Sequence, residues 1–278
     1  MPAKHSGKFN TNRRVRVSTW ALALCALLRL AAVLQAQSPP AAATASVRTW
    51  LGHEGQIEGH LKSAEVTIIE HIGTGVTKPQ RAYLKPTDPV ASLAWKVLPP
   101  GRRGGHWESY KSEIAAYELD KLLNLRMVPP AVERRIDADT GAGVMWLEGI
   151  QSVKQMGGKV PSAGVWGKPI RKMLTFDNLI GNPDRNAGNI LIGPPGEMIL
   201  IDHSRAFITD KTLPTKIERV DGELWDRMKT LTRDELTGAL RSWLDEEAID
   251  AILERRNRMA AAVDQLVAKK GQAAVIIP

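Results

Sequence analysis

The chain has 278 residues and one cysteine, enough length to bury a sizeable core but too few thiols for a disulfide framework or a Cys-ligated zinc. Its net charge of +8 would suit a polyanionic partner, yet six of the cations (Lys4, Lys8, Arg13, Arg14, Arg16 and Arg29) lie in residues 1–36, which hold no acid. The remainder carries only about +2, so no nucleic-acid partner is expected.

Residues 1–36 follow the order of a secretory signal: a basic stretch through Arg16, the apolar run VSTWALALCALL, Arg29, then a zone of small residues. The apolar run is too short to span a bilayer, so the expectation is an exported protein without a stable transmembrane anchor. Cleavage fits after Ala36 or near Ala43, and residues 37–48 read as a Pro/Ala-rich linker. Cys25 falls inside the leader, which leaves the mature chain without a thiol nucleophile.

After the linker, VTIIEHIGTGVTKPQRAYLKP reads as strand, glycine turn and strand, with Gly73 and Gly75 in the turn. SLAWKVLPPG is a third strand closed by Pro99-Pro100-Gly101. HWESYKSEIAAYELDKLLNL carries apolar residues at helical spacing, with Glu108 and Glu113 in its early part, where the helix dipole favours acids. AVERRI and AGVMWLEG are two more strands around a turn from Asp137 to Gly141. WGKPIRKMLTFDNLIG predicts a helix starting near Pro169. The runs NILI and MILI flank Gly193-Pro194-Pro195-Gly196 and predict a tight hairpin. Helices close the chain, the last two beginning at Thr232 and Asp245 with acids in the first turn. Trp95, Trp107, Trp146, Trp166, Trp225 and Trp243 are expected to fill the core and the interface between halves. Strands with one helix, then helices with one hairpin, define an α+β fold of two lobes, residues 49–150 and 151–278.

The hairpin carries the chemistry. It brings its open ends together, so Asn189 and Asp202 become neighbours, with Asp184 on the adjoining loop. A carboxylate and an amide oxygen are hard ligands of the kind Mg²⁺ takes alongside water and substrate phosphates. A second carboxylate nearby suits orienting an attacking hydroxyl and accepting its proton. Asx side chains in such loops often bond only nearby backbone, but D-x-x-x-x-N, a hairpin, then Asp after an apolar strand is a phosphoryl-transfer layout. Lys96 lies in an apolar run, where an unpaired ammonium would be costly. Lys85 is a second strand lysine, but Pro86 follows it. Helical spacing alone does not separate Glu113 from Glu118 as the acid that Lys96 would meet. The scattered histidines form no zinc pattern, and Ser162 and Ser204 lack a nucleophile elbow.

The stretch FDNLIGNPDRNAGNILI…MILIDHSRAF resembles the atypical kinases: the phosphatidylinositol kinase superfamily, the HipA-like kinases and especially the secretory-pathway Fam20-type kinases. The resemblance implies ATP with Mg²⁺ or Mn²⁺, and a phospho-acceptor that is a protein, glycan or lipid-headgroup hydroxyl. It implies Asp184 as the catalytic aspartate, Arg185 as its structural partner, and Asn189 and Asp202 as metal ligands. More weakly, AWKVL implies Lys96 on the α and β phosphates, SEIAAYELDKLL implies Glu113 as its partner, and HIGTGVTKP implies Gly73 and Gly75 over the phosphates. Asn186 stands where those families commonly have histidine, and Asp202 is followed by His-Ser rather than Phe-Gly.

Overall fold

The computed structural model describes residues 46–73, 80–194 and 196–278; the expected leader, Cys25, most of the linker and Gly75 lie outside them. In chain order the first half holds α1 (Glu54–Ser63), β1 (Glu65–His71), β2 (Gln80–Lys85), β3 (Ser92–Lys96), β4 (Gly101–Arg103), β5 (His106–Glu108), α2 (Tyr110–Leu123), β6 (Ala131–Ile136) and β7 (Asp139–Met145). Five of these strands form one antiparallel sheet in the order β1-β2-β3-β7-β6. The β6–β7 turn is tighter than the sequence suggests, because Asp137 adopts φ 53° and the chain reverses at once. Gly141 is therefore inside β7. A Cβ there would collide with the carbonyl oxygen of Lys96, so glycine lets β7 pass close to the end of β3.

Helix α2 starts one turn later than its charge pattern implied. Ser109 caps it by accepting from the Lys111 N–H, and Glu108 belongs to β5 instead. It ends at Asn124 in the left-handed region, and the buried Asp120 carboxylate then accepts from the N–H groups of Arg126, Met127 and Val128. These bonds satisfy the backbone that turns into β6. Helix α1 was not expected from the sequence; it buries Ile57 and Leu61, and Arg134 of β6 donates to the carbonyls of Leu61 and Ala64 at its C-terminal end.

The second half holds β8 (Gln151–Ser152), α3 (Ala163–Ile180), a 3₁₀ turn (Ala187–Asn189), β9 (Ile190–Gly193), β10 (Glu197–Leu200), β11 (Val220–Asp221), α4 (Gly222–Thr230), α5 (Arg233–Leu240), α6 (Glu246–Lys270), α7 (Gln272–Val275) and β12 (Ile276–Ile277). Helix α3 starts six residues before Pro169, which sits inside it on the half-exposed side; the missing N–H forfeits one helical bond without ending the helix. Its C-cap Gly181 has φ 62°, and a Cβ there would strike the guanidinium of Arg255, which is fully buried on α6. That guanidinium donates to the carbonyls of Leu179, Ile208 and Asp210, so α6 fixes the end of α3 and the irregular segment after β10. Thr232 and Asp245 are N-caps as expected, Thr232 with a full capping box. Trp95, Trp166 and Trp225 are core residues, whereas Trp107, Trp146 and Trp243 are only half-buried. Among the described residues no helix is long and apolar enough to cross a membrane.

Candidate active site

The β9–β10 hairpin has the register Leu200↔Ile190, and the Ile201 N–H donates to the Asn189 carbonyl at 3.1 Å. This places Asn189 beside the residues that lead into Asp202. Asp202 itself adopts φ 59°, a conformation that Asp tolerates better than most residues. Its Oδ1 accepts from Lys96 Nζ at 2.8 Å and from the Ser204 hydroxyl at 3.1 Å.

Lys96, at the end of β3, also donates to Glu113 Oε1 at 2.6 Å. One ammonium thus joins the sheet, α2 and the segment after the hairpin. Burial alone would push Lys96 down, but the charges of Asp202 and Glu113 outweigh it and hold the ammonium above the ordinary lysine range. Burial would likewise raise Glu113; Lys96 and the bonds from His203 more than reverse this and hold its carboxyl low. The His203 backbone N–H donates to Glu113 Oε2 at 3.0 Å, and burial lowers the His203 imidazole, which packs edge-on against Phe176. Glu118 lies elsewhere, paired with Lys121 at 3.1 Å, so the ambiguity between the two glutamates ends in favour of Glu113 as the neighbour of Lys96. Lys85 is exposed at the end of β2.

The loop from Asn182 to Asn189 is held by its own polar side chains. Arg185 donates through Nε and Nη2 to the buried Asp177 at 3.0 Å each, and through Nη1 to the carbonyls of Asn189 and Ile201. The fork therefore ties the loop to α3 and to the hairpin's open end together. Asn182 Oδ1 accepts from the Asp184 N–H. The Asp184 carbonyl accepts from the side-chain amides of Asn186 and Asn189, at 3.0 and 3.1 Å. Asn186 also caps the 3₁₀ turn by accepting from the Gly188 N–H, so asparagine supplies the loop bonding at this position. The Asp184 carboxylate is left partly open, at 41% side-chain exposure.

Of the glycines expected over the phosphates, Gly73 follows β1, and no described atom comes within 4 Å of where its Cβ would be; Gly75 lies outside the described residues. Two residues of the site were missed in sequence. Arg205 donates through Nε and Nη2 to Glu108 at 3.0 and 2.8 Å, and its Nη1 lies 3.4 Å from Asp184 Oδ2. Its only sequence signal is its place three residues after Asp202, and the sequence around Glu108 suggests only a helix-dipole acid.

Asp202 Oδ2 and Asn189 Oδ1 have no hydrogen-bond partner among the described residues, and both are hard oxygens. Among those residues no group of three or more His, Cys, Asp or Glu is arranged to hold a metal ion. One carboxylate and one amide fit an ion that draws the rest of its shell from phosphates and water, the Mg²⁺ habit.

An antiparallel five-stranded sheet with one long helix, set with a helical half that carries a loop and hairpin, is the α+β, bilobal protein-kinase-like fold. Within that class the fold is similar to three solved kinase structures. A hydra Fam20 structure with sugar superposes with a TM-score of 0.65 at 17% identity, covering 81% of this chain and 92% of that one. The Golgi casein kinase with Mn/ADP bound gives 0.63 at 13% identity, covering 81% and 79%. The Helicobacter pylori proinflammatory kinase CtkA gives 0.52 at 11% identity, covering 76% and 98%. No protein-family model and no curated protein matches the sequence.

Proposed function

We propose that the chain is an ATP-dependent phosphotransferase, an atypical metal-dependent kinase that acts on a hydroxyl acceptor. The observation that carries this reading is the placement of Lys96 Nζ between Glu113 and Asp202 at 2.6 and 2.8 Å, across 106 residues of sequence. Burying a lysine and Glu113 together, with the half-buried Asp202 on the same ammonium, is costly as mere scaffolding, and it suits holding a polyphosphate beside a metal ligand.

In this reading residues 49–150 form the lobe over the nucleotide and residues 151–278 the lobe that carries the acceptor side. Lys96 grips the α and β phosphates, and Glu113 fixes the ammonium. Asn189 and Asp202 would hold Mg²⁺ or Mn²⁺, which supplies charge neutralisation on the phosphates. Asp184 accepts the acceptor's proton as the acceptor oxygen bonds the γ-phosphorus. The bond to the β–γ bridging oxygen breaks, and ADP leaves with its electron pair. Arg185 and the Asn182, Asn186 and Asn189 side chains keep Asp184 in place through its backbone.

The acceptor is a protein, glycan or lipid-headgroup hydroxyl; the hydra neighbour with sugar and the Golgi casein kinase make the first two the classes to test first. The full mature chain is incubated with γ-labelled ATP, Mg²⁺ or Mn²⁺, and acceptors of the three classes. Label is expected on an acceptor or on the chain itself, and is lost in Asp202→Ala. Equal labelling by both proteins would refute the assignment, and label from the α but not the γ position would make the reaction AMP transfer. Export, supported by the order of residues 1–36, is tested by a fusion that reports the side of the membrane residue 50 occupies.

A further inference from the structure

Arg205 stands against the candidate base and has no task in the reaction just described. Two of its three guanidinium nitrogens are used on one oxygen of Glu108, a side chain only 6% exposed. Glu108 lies on β5 opposite Gly101, and the next residue, Ser109, donates its N–H to the Ser204 carbonyl at 2.9 Å. The guanidinium is therefore fixed from both the strand before α2 and the segment after β10. That clamp is complete without the third nitrogen, yet Nη1 reaches to 3.4 Å from Asp184 Oδ2. This is long for a bond between a cation and a carboxylate, which settle at about 2.7–2.9 Å. Nη1 is thus beside the acid without being consumed by it. A reacting group brought to Asp184 meets the guanidinium as well.

We propose that Arg205 is a catalytic residue, an arginine built into the chain that neutralises the transferring phosphoryl group, and that Glu108 is its positioning residue. The inference rests on the phosphotransferase reading. As the acceptor oxygen bonds the γ-phosphorus, its proton passes to Asp184 and the β–γ bridging oxygen departs with ADP and the electron pair. Nη1 donates to the non-bridging phosphoryl oxygens through that step and is unchanged at its end. Lysine would not serve, because a single ammonium cannot hold Glu108 and reach over Asp184 together. An arginine aimed at developing charge acts most strongly in the transition state, so its contribution belongs to kcat more than to nucleotide binding.

The test is calorimetric binding to the full chain of ADP with Mn²⁺, and of ADP with Mn²⁺ and aluminium fluoride, a mimic of the phosphoryl group in flight. Arg205→Gln is expected to keep ADP affinity within about 2-fold and to lose about 100-fold on the fluoride complex, the scale of one transition-state donor. The charge-swapped pair Glu108→Arg with Arg205→Glu restores the clamp but not the cation, and is expected to stay weak. Equal affinity of native chain and Arg205→Gln for the fluoride complex would overturn the proposal. So would equal loss of both ligands, or recovery in the swapped pair, since each makes Arg205 a clamp alone. If Arg205→Gln does not fold, Arg205→Lys replaces it, with a loss of about 10-fold expected on the fluoride complex only. A native chain that binds no ADP removes the phosphotransferase reading and this one with it, whereas native binding with an indifferent Arg205 removes only this one.

Discussion

Replacing Lys96 by Met fills most of the lysine's volume and removes the cation that Glu113 and Asp202 share. The two acids are not equally placed to lose it: the Glu113 side chain is 3% exposed and that of Asp202 is 32% exposed. Asp202 can recover water, while Glu113 keeps only His203, whose backbone N–H donates at 3.0 Å and whose ring Nδ1 lies 3.8 Å away. Stranding one member of a buried pair costs about 3–5 kcal/mol. In a domain of this size each kcal/mol lowers the melting temperature by about 2–4 °C, so a fall of about 10 °C is expected at pH 8.

The pH dependence separates this cause from simple loss of packing. In the native chain burial would raise Glu113, but Lys96 and His203 hold it below its ordinary 4.5. The stability it contributes is present above that value and is lost as pH falls through the lower, folded one. In Lys96→Met burial is left to dominate and the folded value rises above 4.5. The sign then inverts, and stability is lost as pH rises. The gap between native and variant therefore widens from pH 5 to pH 8, and Lys96→Met with Glu113→Gln recovers at least half of it. Urea unfolding followed by tryptophan fluorescence measures this directly, without any substrate. A gap that is constant or narrower at pH 8 would show that the Glu113 charge does not depend on Lys96, and the central contact of the site would be wrong.

Asn186→Ala removes the bonds to the Asp184 carbonyl and the Gly188 N–H from an exposed loop. It should cost about 1 kcal/mol in stability but about 10-fold in kcat, because the aspartate loses one of two amide donors; an unchanged kcat would argue that Asn189 alone holds the loop. Asp120 is raised to about 6, burial outweighing the three N–H groups it accepts, so its contribution to stability is present below 3.8 and lost as pH rises through about 6. Asp120→Asn should therefore gain on the native chain by about 2–3 kcal/mol between pH 4 and pH 8, read from urea midpoints, and a gap independent of pH would show that burial does not raise Asp120.

The features legible in the sequence share a short range. Gly193 to Gly196 dictates a reversal, and Thr232 and Asp245 dictate helix starts, because each acts on backbone groups within a few residues. The same local logic misled at Pro169, a residue read as a helix start that α3 absorbs at its half-exposed edge. It was blind to α1, whose Gly55 and Gly59 weaken the helical signal while Ile57 and Leu61 find their burial on the sheet. Charges fare worst, since their partners are chosen by packing: Glu108 and Arg205 meet across 97 residues, and nothing in either neighbourhood announces the other. Gly141 states the reason most clearly. Read along the chain it is one more turn residue, and only the register Ala142↔Lys96 shows that a side chain there would drive β7 off the carbonyl of Lys96. The lysine's position is thus set by the absence of an atom on another strand. A substitution as small as Gly141→Ala acts on Lys96 through the sheet, before it touches the charges that Lys96 serves.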